Sequence, residues 1–438
     1  MREQECLKRA GSGMGRETVA ATTGSWVERG ESLDEAERRA RRALVGMGLR
    51  AELAERAMNG PLFRWSCVLR DTAGNVVPLG KGLGKGRCDE SRTGALYEAL
   101  EHYLTGPASF DPAMVRWAEG SELAAGALGG DMCAPVLAQM GRVACHAYAR
   151  LGGGAGACSP ALLVPAVLTT SWYYDHPELR ESIADEADYA QLARYGSNSG
   201  SAIGSSLHDA LLHALNETIE RDAMSHLLAS AWPAVKAPRV KRVDPATLPS
   251  ELAAAHRQAE ELRGQAVHIF DATTDIGVPT FVAAVDGPVS FEMRFGAGTS
   301  LSPHHALWRA LGELLQGASR RSDRQVSDGL LHGLKRYPAL YACAVFDVAA
   351  ACARADLCEF PRESVKWSGP EAQLEQILAL LAKANYQAFY RTTATAPENL
   401  TAVHVFVPGL ERFMVVTSGM AVVPGPRARA WLSAGRLT

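Results

Sequence analysis

Three stretches of the chain repeat one arrangement of apolar and polar positions. In residues 197–226, Leu207, Leu211, Leu215 and Ile219 recur every fourth residue with Leu212 beside them, which predicts a helix with one apolar face. Ser206, with Asp209 three positions on, marks its start in the manner of a capping box. Residues 94–104 carry Leu96, Leu100 and Leu104 as their stripe. Residues 302–316 open with Ser302 as N-cap and Pro303 at the first helical position, and their stripe is Leu307, Leu311, Leu314 and Leu315.

The faces turned away from these stripes share a second property. They carry Glu98 and Glu101 on the first helix, Asp209, Glu217, Glu220 and Arg221 on the second, and Arg309, Glu313 and Gln316 at i, i+4 and i+7 on the third. For one helix alone, the plainer reading is a solvated face with Glu217 and Arg221 paired at i,i+4, worth a few tenths of a kcal/mol. Three separated helices with acidic, lysine-poor faces shift the balance. Carboxylates gathered from several helices need a cation, and hard oxygen donors suit Mg²⁺ shared with phosphates.

The rest of the chain predicts helices and strands intermixed. Residues 1–24 have no apolar period and read as a loose tail, leaving residues 25–438 as one domain. Residues 32–48 predict a helix capped by Ser32, and residues 63–69 and 76–79 a hairpin with its turn at 71–75. The run Gly80-Lys81-Gly82-Leu83-Gly84-Lys85-Gly86 reads as a flexible turn or a phosphate-holding loop, although it fits neither of the common glycine-rich phosphate motifs. A helix is expected near 136–151, a buried strand at 162–169 and an exposed crossing segment at 232–250. A helix at 251–263, strands at 267–271, 280–285 and 290–295, a helix at 371–384, and strands at 403–407 and 413–417 complete the reading. Trp172, Tyr173 and Tyr174 read first as core packing, and His304-His305 as a surface pair.

Composition narrows the function. The 438 residues are 47% hydrophobic and 21% charged, an ordinary globular balance. A net charge of −3 without a basic stripe speaks against a nucleic-acid partner. No apolar run approaches the ~18 residues that span a bilayer, so no membrane association is expected. Nine scattered cysteines without a CxxC argue against a zinc knuckle and fit a reducing cytoplasm.

The spacing of the three acidic helices resembles the ATP- and Mg²⁺-binding motifs of the YcaO family: Glu98-x2-Glu101, Asp209-x7-Glu217-x2-Glu220-Arg221, and Arg309-x3-Glu313-x2-Gln316. The resemblance runs from about Arg29 to the C-terminus and includes Val407-Pro408-Gly409-Leu410-Glu411. It implies an α+β fold with helices and mostly antiparallel sheets around a central ATP cleft. It implies ATP and Mg²⁺ as cofactors, with Glu98, Glu101, Glu217 and Glu220 on the metal side and Arg221 as a phosphate contact. Arg309, Glu313 and Gln316 fall on the third, catalytic motif. Arg29, Ser205 and Asp209 fall on nucleotide contacts, as does a lysine of the glycine run, for which Lys81 is taken while Lys85 remains open. Departures from the family pattern at Gly94, Ala202, Ser205 and His102 fall on the nucleoside side, and Pro424-Gly425-Pro426 is the nearest trace of a proline-rich tail.

The implied activity is that of a cyclodehydratase subunit, which phosphorylates a backbone amide oxygen of a ribosomally made precursor peptide and forms azoline rings from Cys, Ser or Thr. The expected partners are the precursor peptide, a separate leader-binding protein and a flavin-dependent dehydrogenase, with this chain as a dimer inside the hetero-oligomer. The alternatives are a thioamide-forming member acting with a TfuA-type partner and a non-catalytic scaffold subunit.

Overall fold

The structure is a computed structural model. It describes residues 28–56, 58–152, 161–233, 239–287, 294–317, 329, 331–362 and 369–434. The tail expected at 1–24 lies outside the described residues, as does most of the strand expected at 290–295.

Three sheets carry the helices. β1 (Arg50–Arg56), β2 (Phe63–Arg70) and β3 (Val76–Gly86) form an antiparallel sheet in that order. The second sheet has β4 (Val115–Glu119), β5 (Arg142–Arg150), β6 (Leu162–Pro165), β7 (Ser201–Gly204), β13 (Phe389–Thr395) and β14 (Thr401–Phe406). Its order is β4-β5-β13-β14-β7, with β6 also paired to β5. The third runs β11-β10-β9-β8-β12, from β8 (Lys241–Val243), β9 (His268–Asp271), β10 (Thr280–Ala284), β11 (Phe295–Thr299) and β12 (Asp356–Cys358). Only the β8–β12 pair is parallel among the strand pairs described.

The longer helices are α1 (Leu33–Gly46), α2 (Cys88–Leu104), α3 (Leu207–Ala229), α4 (Ser250–Arg263), α5 (Pro303–Gly317), α6 (Pro370–Lys383) and α7 (Pro426–Ala434). Ser32 caps α1 through a complete capping box with Glu35, and the Ser206 hydroxyl accepts from the Asp209 amide at the start of α3. The three predicted acidic helices are α2, α3 and α5. Their stripes are core apart from Leu207, which is 37% exposed at the start of α3: Leu96, Leu100, Leu211, Leu215, Leu307, Leu311 and Leu314 are at most 2% exposed, each burial worth about 1.5–3 kcal/mol.

Each acidic helix follows a strand on which it lies, and glycine sets how closely two of them approach. A Cβ on Gly82 would come within 2.3 Å of the Ala95 carbonyl, and one on Gly84 within 1.6 Å of the Ser91 carbonyl. The glycine run 80–86 is therefore neither turn nor loop. It is the end of β3, with alternate glycines against α2 and the lysines on the opposite face. Gly296 and Gly298 of β11 do the same for α5, where a Cβ would lie 2.1 Å from Leu314 N and Ala306 O respectively.

Other expectations need correction. Residues 136–151 are not a helix: one short turn, Ala134–Leu137, precedes β5, which pairs with β4 and β6 and whose Val143, Cys145, His146 and Tyr148 are buried. The expected strand at 162–169 stops at Pro165 and turns into a short helix. Residues 413–417 form a 3₁₀ turn packed beside α3. Of the aromatic triplet, Tyr173 is fully buried and donates to Asp185, while Tyr174 is 39% exposed. Among the described residues no helix is long and apolar enough to cross a membrane.

Candidate active site

The polar faces of α2, α3 and α5 turn toward one another, not toward water. Glu220 is 3% exposed, and Glu98, Glu101, Glu217, Arg221, Arg309, Glu313 and Gln316 are half-buried. The solvated-face reading of these helices therefore fails. β3 supplies the fourth wall. The Leu83 N–H donates to Glu98 Oε2 (3.1 Å), and the Leu83 carbonyl accepts from Gln316 Nε2 (2.9 Å). Lys85 Nζ reaches Glu313 Oε2 at 3.0 Å, its stem lying over Gly312. Lys81, on the same strand face, is exposed, so the lysine among the carboxylates is Lys85.

The free edge of β7 closes the cluster. The Gly200 N–H donates to Glu217 Oε2 (3.3 Å), and the Ile203 amide supports Glu101. Arg221 forks between Glu217 (3.0 Å) and Glu220 (3.2 Å). Arg309 lies 3.2 Å from His213 Nδ1.

The cluster holds charge that its own cations do not balance. Burial pushes the Glu101 carboxyl well above the usual range, and the charges of Glu217 and Glu98 push it further. Burial likewise raises Glu98, against the pull of His102 and Lys85, and raises Glu220, against Arg221. Glu313 is the exception. Burial would raise it, but Lys85 and Arg221 outweigh burial and hold it below the usual range.

A segment ahead of α1 crosses the far end of α3 and α5. The Gly30 N–H donates to Asp209 Oδ1 (2.8 Å), whose other oxygen accepts from the hydroxyls of Ser205 (2.7 Å) and Ser206 (3.0 Å). Glu28 accepts from Ser300 Oγ and pairs with His305 Nε2 (3.3 Å). Despite burial, His305 and Arg309 hold it below the usual carboxylate range. Arg29 acts electrostatically on both Glu101 and His213. His213 is held well below its ordinary value by burial and by Arg309, so it is a neutral acceptor facing a guanidinium. His304 pairs with Glu251 (3.3 Å), so neither member of the histidine pair is a plain surface residue.

The structure thus gathers Glu98, Glu101, Glu217, Glu220, Arg221, Arg309, Glu313 and Gln316. It sets Ser205 and Asp209 against the Gly30 segment instead, with Arg29 between the two groups. Sequence reasoning passed over His213 and Glu28. His213 stands at i, i+4 and i+7 with Glu217 and Glu220, a spacing visible in the sequence, whereas Glu28 shows no signal beyond its place beside Arg29.

The donor set fits a ligand that brings both cation and phosphate. The oxygens are hard, several are buried in mutual repulsion, and three cations stand among them. Among the described residues no three His, Cys, Asp or Glu side chains already form a metal-holding group. Glu98, Glu217 and Glu313 are held instead by Leu83, Gly200 with Arg221, and Lys85.

The family model for YcaO cyclodehydratases, described as ATP- and Mg²⁺-binding, matches residues 83–411. An uncharacterized protein of Methanothermobacter thermautotrophicus is 27% identical over 225 residues, which are 49% of this chain, and the chain spans 56% of that relative's length. Among solved structures, a YcaO from Methanopyrus kandleri bound with AMPPCP and Mg²⁺ matches at 19% identity and a TM-score of 0.61, covering 90% of this chain and 96% of that one. A heterocyclase in complex with substrate and cofactor matches at 18% and 0.59, covering 88% of this chain and 54% of that one. The Escherichia coli microcin synthetase McbBCD complex matches at 12% and 0.51, covering 82% and 86%. At these identities the structures establish a shared fold.

Proposed function

This chain belongs to the YcaO family of ATP- and Mg²⁺-binding proteins, and from that premise we propose that it is the ATP-dependent cyclodehydratase subunit of a peptide-modifying complex. One observation carries the reading: carboxylates of three separate helices face one another beside Lys85, Arg221 and Arg309. Phosphoryl transfer needs positioning and neutralised charge more than covalent help from the protein. The metal would supply positive charge to the phosphate oxygens and to the repelling carboxylates.

The residues around it have separable tasks. Glu98, Glu101, Glu217 and Glu220 would hold Mg²⁺, and Arg221, Arg309 and Lys85 would meet phosphate oxygens. Glu313, kept ionised by Lys85 and Arg221, can accept a proton or orient a donor beside the transferred group. Gln316 fixes the β3 edge through the Leu83 carbonyl. Arg29, Asp209 and Ser205 would line the nucleoside end. The substrate amide oxygen takes the terminal phosphoryl group of ATP with release of ADP, the neighbouring Cys, Ser or Thr side chain adds to the amide carbon with loss of its S–H or O–H proton, and phosphate leaves while the amide N–H proton is given up as the ring C=N bond forms.

The fold-sharing E. coli microcin synthetase is a McbBCD complex, and one structure of it has pro-MccB17 bound. By analogy this chain would act on a ribosomally made precursor peptide with a leader-binding partner, and with a flavin-dependent dehydrogenase where azolines are oxidised. Productive placement of an amide is demanding, so the chain alone should hydrolyse ATP only slowly. The test is intact-peptide mass spectrometry with ATP, Mg²⁺, the partner and a Cys-, Ser- or Thr-containing precursor. A loss of about 18 Da per ring is expected from removal of one water. Ring formation at full rate by the chain alone would refute the partner claim, and an oxygen-for-sulfur exchange would identify a thioamide product instead.

A further inference from the structure

β7 joins the acidic cluster to a second polar group on the second sheet. At its start, Gly200 holds Glu217 through its N–H and accepts from the Val405 N–H through its carbonyl (2.8 Å). The next residue, Ser201, pairs across the ladder with His404, and His404 pairs with Arg391 of β13. Tyr148 of β5 completes the row. Its hydroxyl accepts from Arg391 Nε (3.3 Å) and meets His404 Nδ1 (3.2 Å). A phenol oxygen has two lone pairs, so it can accept from Arg391 Nε and from a protonated His404 Nδ1 together and keep its own O–H for a further acceptor.

This row has polar groups in excess of its partners. Tyr148, His146 and His404 are 0%, 5% and 2% exposed. His146 Nδ1 has no hydrogen-bond partner among the described residues, and His404 Nε2 has none of good geometry. Such orphaned buried atoms mark a place that a ligand can satisfy. The charge is one-signed. Arg412 is neutralised by a bidentate pair with Asp131 (2.8 and 3.0 Å), but no carboxylate among the described residues pairs with Arg391. Burial and Arg391 push His146 down to about 3, and burial with Arg391, His146 and Arg412 holds His404 well below its ordinary value. Both imidazoles are therefore neutral donors or acceptors around one uncompensated guanidinium. A guanidinium fork with N–H and O–H groups at its side suits a carboxylate.

We propose that Arg391, Tyr148 and His404, with His146 beside them, form a carboxylate-binding subsite that seats an acidic group of the peptide next to the ATP-binding cluster. The carboxylate is either an Asp or Glu side chain near the modified residue or the C-terminus of the peptide. The assignment of peptide as the ligand rests on the function proposed above; the subsite itself rests on the row of residues alone.

The probes are short acetylated peptides containing one Cys in three forms: a neutral carboxamide, the same peptide with a free C-terminal carboxylate, and the carboxamide with Glu beside the Cys. Binding to the full chain is read by equilibrium titration without ATP, and ADP release is read separately. At least one acidic peptide should bind about ten-fold more tightly than the neutral one, the difference of one charge-assisted pair. Which one does so identifies the source of the carboxylate. R391Q should abolish that preference, and R391K should keep part of it. Arg391 is half-exposed, so neither change opens a cavity. Equal binding of all three peptides, a preference that survives R391Q, or competition by inorganic phosphate without any acidic-peptide preference would overturn the subsite. Acidic preference without any ADP release would retain the subsite and overturn the proposed enzyme.

Discussion

Two of the regions that bury carboxylates treat most of them in opposite ways. Behind α3, Asp222 accepts both arms of Arg427, at 2.9 and 3.0 Å, and also takes the Glu411 N–H (2.9 Å). Asp131 takes both arms of Arg412. Burial would raise both acids, but His226 and Arg427 around Asp222, and Arg412 at Asp131, hold them below the ordinary range. In front of the same helix, Glu98, Glu101 and Glu220 are raised, and Glu101 is raised partly by its own neighbours. Asp222 is two residues from Glu220 on α3. The paired side holds the C-terminal helix α7 to the core. The repelling side has charge left over for something the chain does not contain.

The largest expected effect falls on the paired side. Arg427→Gln leaves Asp222 buried without its fork and should lower stability by about 3–5 kcal/mol, measured by denaturant unfolding. The loss should be greatest near neutral pH. The lowered Asp222 contributes stability above the ordinary carboxylate range, and that contribution fades as pH falls through its folded value. A change below 1 kcal/mol would show that the pair does not anchor the C-terminus.

Next in size is a catalytic effect on the repelling side. Glu220→Gln keeps the volume and the contact with Arg221, so the fold should survive. ADP release with Mg²⁺ and the partner should fall roughly a hundred-fold or more, the scale of losing one group that stabilises developing charge. Normal turnover by this variant would break the contrast between the two regions.

How much of this was legible follows the same division. The stripes of α2, α3 and α5 announce themselves because each helix buries a leucine face, and Ser206 and Pro303 mark the starts of α3 and α5. The acidic spacing showed which side chains would face one another. Glycine misled at residues 80–86, where close helix contact, not turn geometry, demands it. β5 was hidden because both its faces are covered over Val143, Ala144, Cys145 and His146, so this stretch shows no alternation of polar and apolar residues. Partners distant in sequence were invisible for the same reason: nothing local ties Asp222 to Arg427, Asp131 to Arg412, or Tyr148 to His404. The resemblance places Ser205 and Asp209 with the nucleotide, and the Gly30 N–H bond to Asp209 depends on a segment without periodicity.

The smallest expected effect is the most direct test of the claim that the carboxylates of α2 and α3 are kept in repulsion for an external cation. Glu101→Gln is compared with the natural chain by thermal unfolding at pH 5 and pH 8, with and without Mg²⁺ and a non-hydrolysable ATP analogue. The raised Glu101 carboxyl costs stability only when it is ionised, so the cost grows as pH climbs above the ordinary carboxylate range and disappears in acid. Without ligand, the variant should therefore be more stable at pH 8 by roughly 1 kcal/mol, and the gain should shrink toward pH 5. With Mg²⁺ and the analogue, the order should reverse, because the natural chain binds the ligand more tightly and gains more from it. A variant that is less stable than the natural chain at pH 8 without ligand, or one that is stabilised equally by Mg²⁺ and the analogue, would contradict the account.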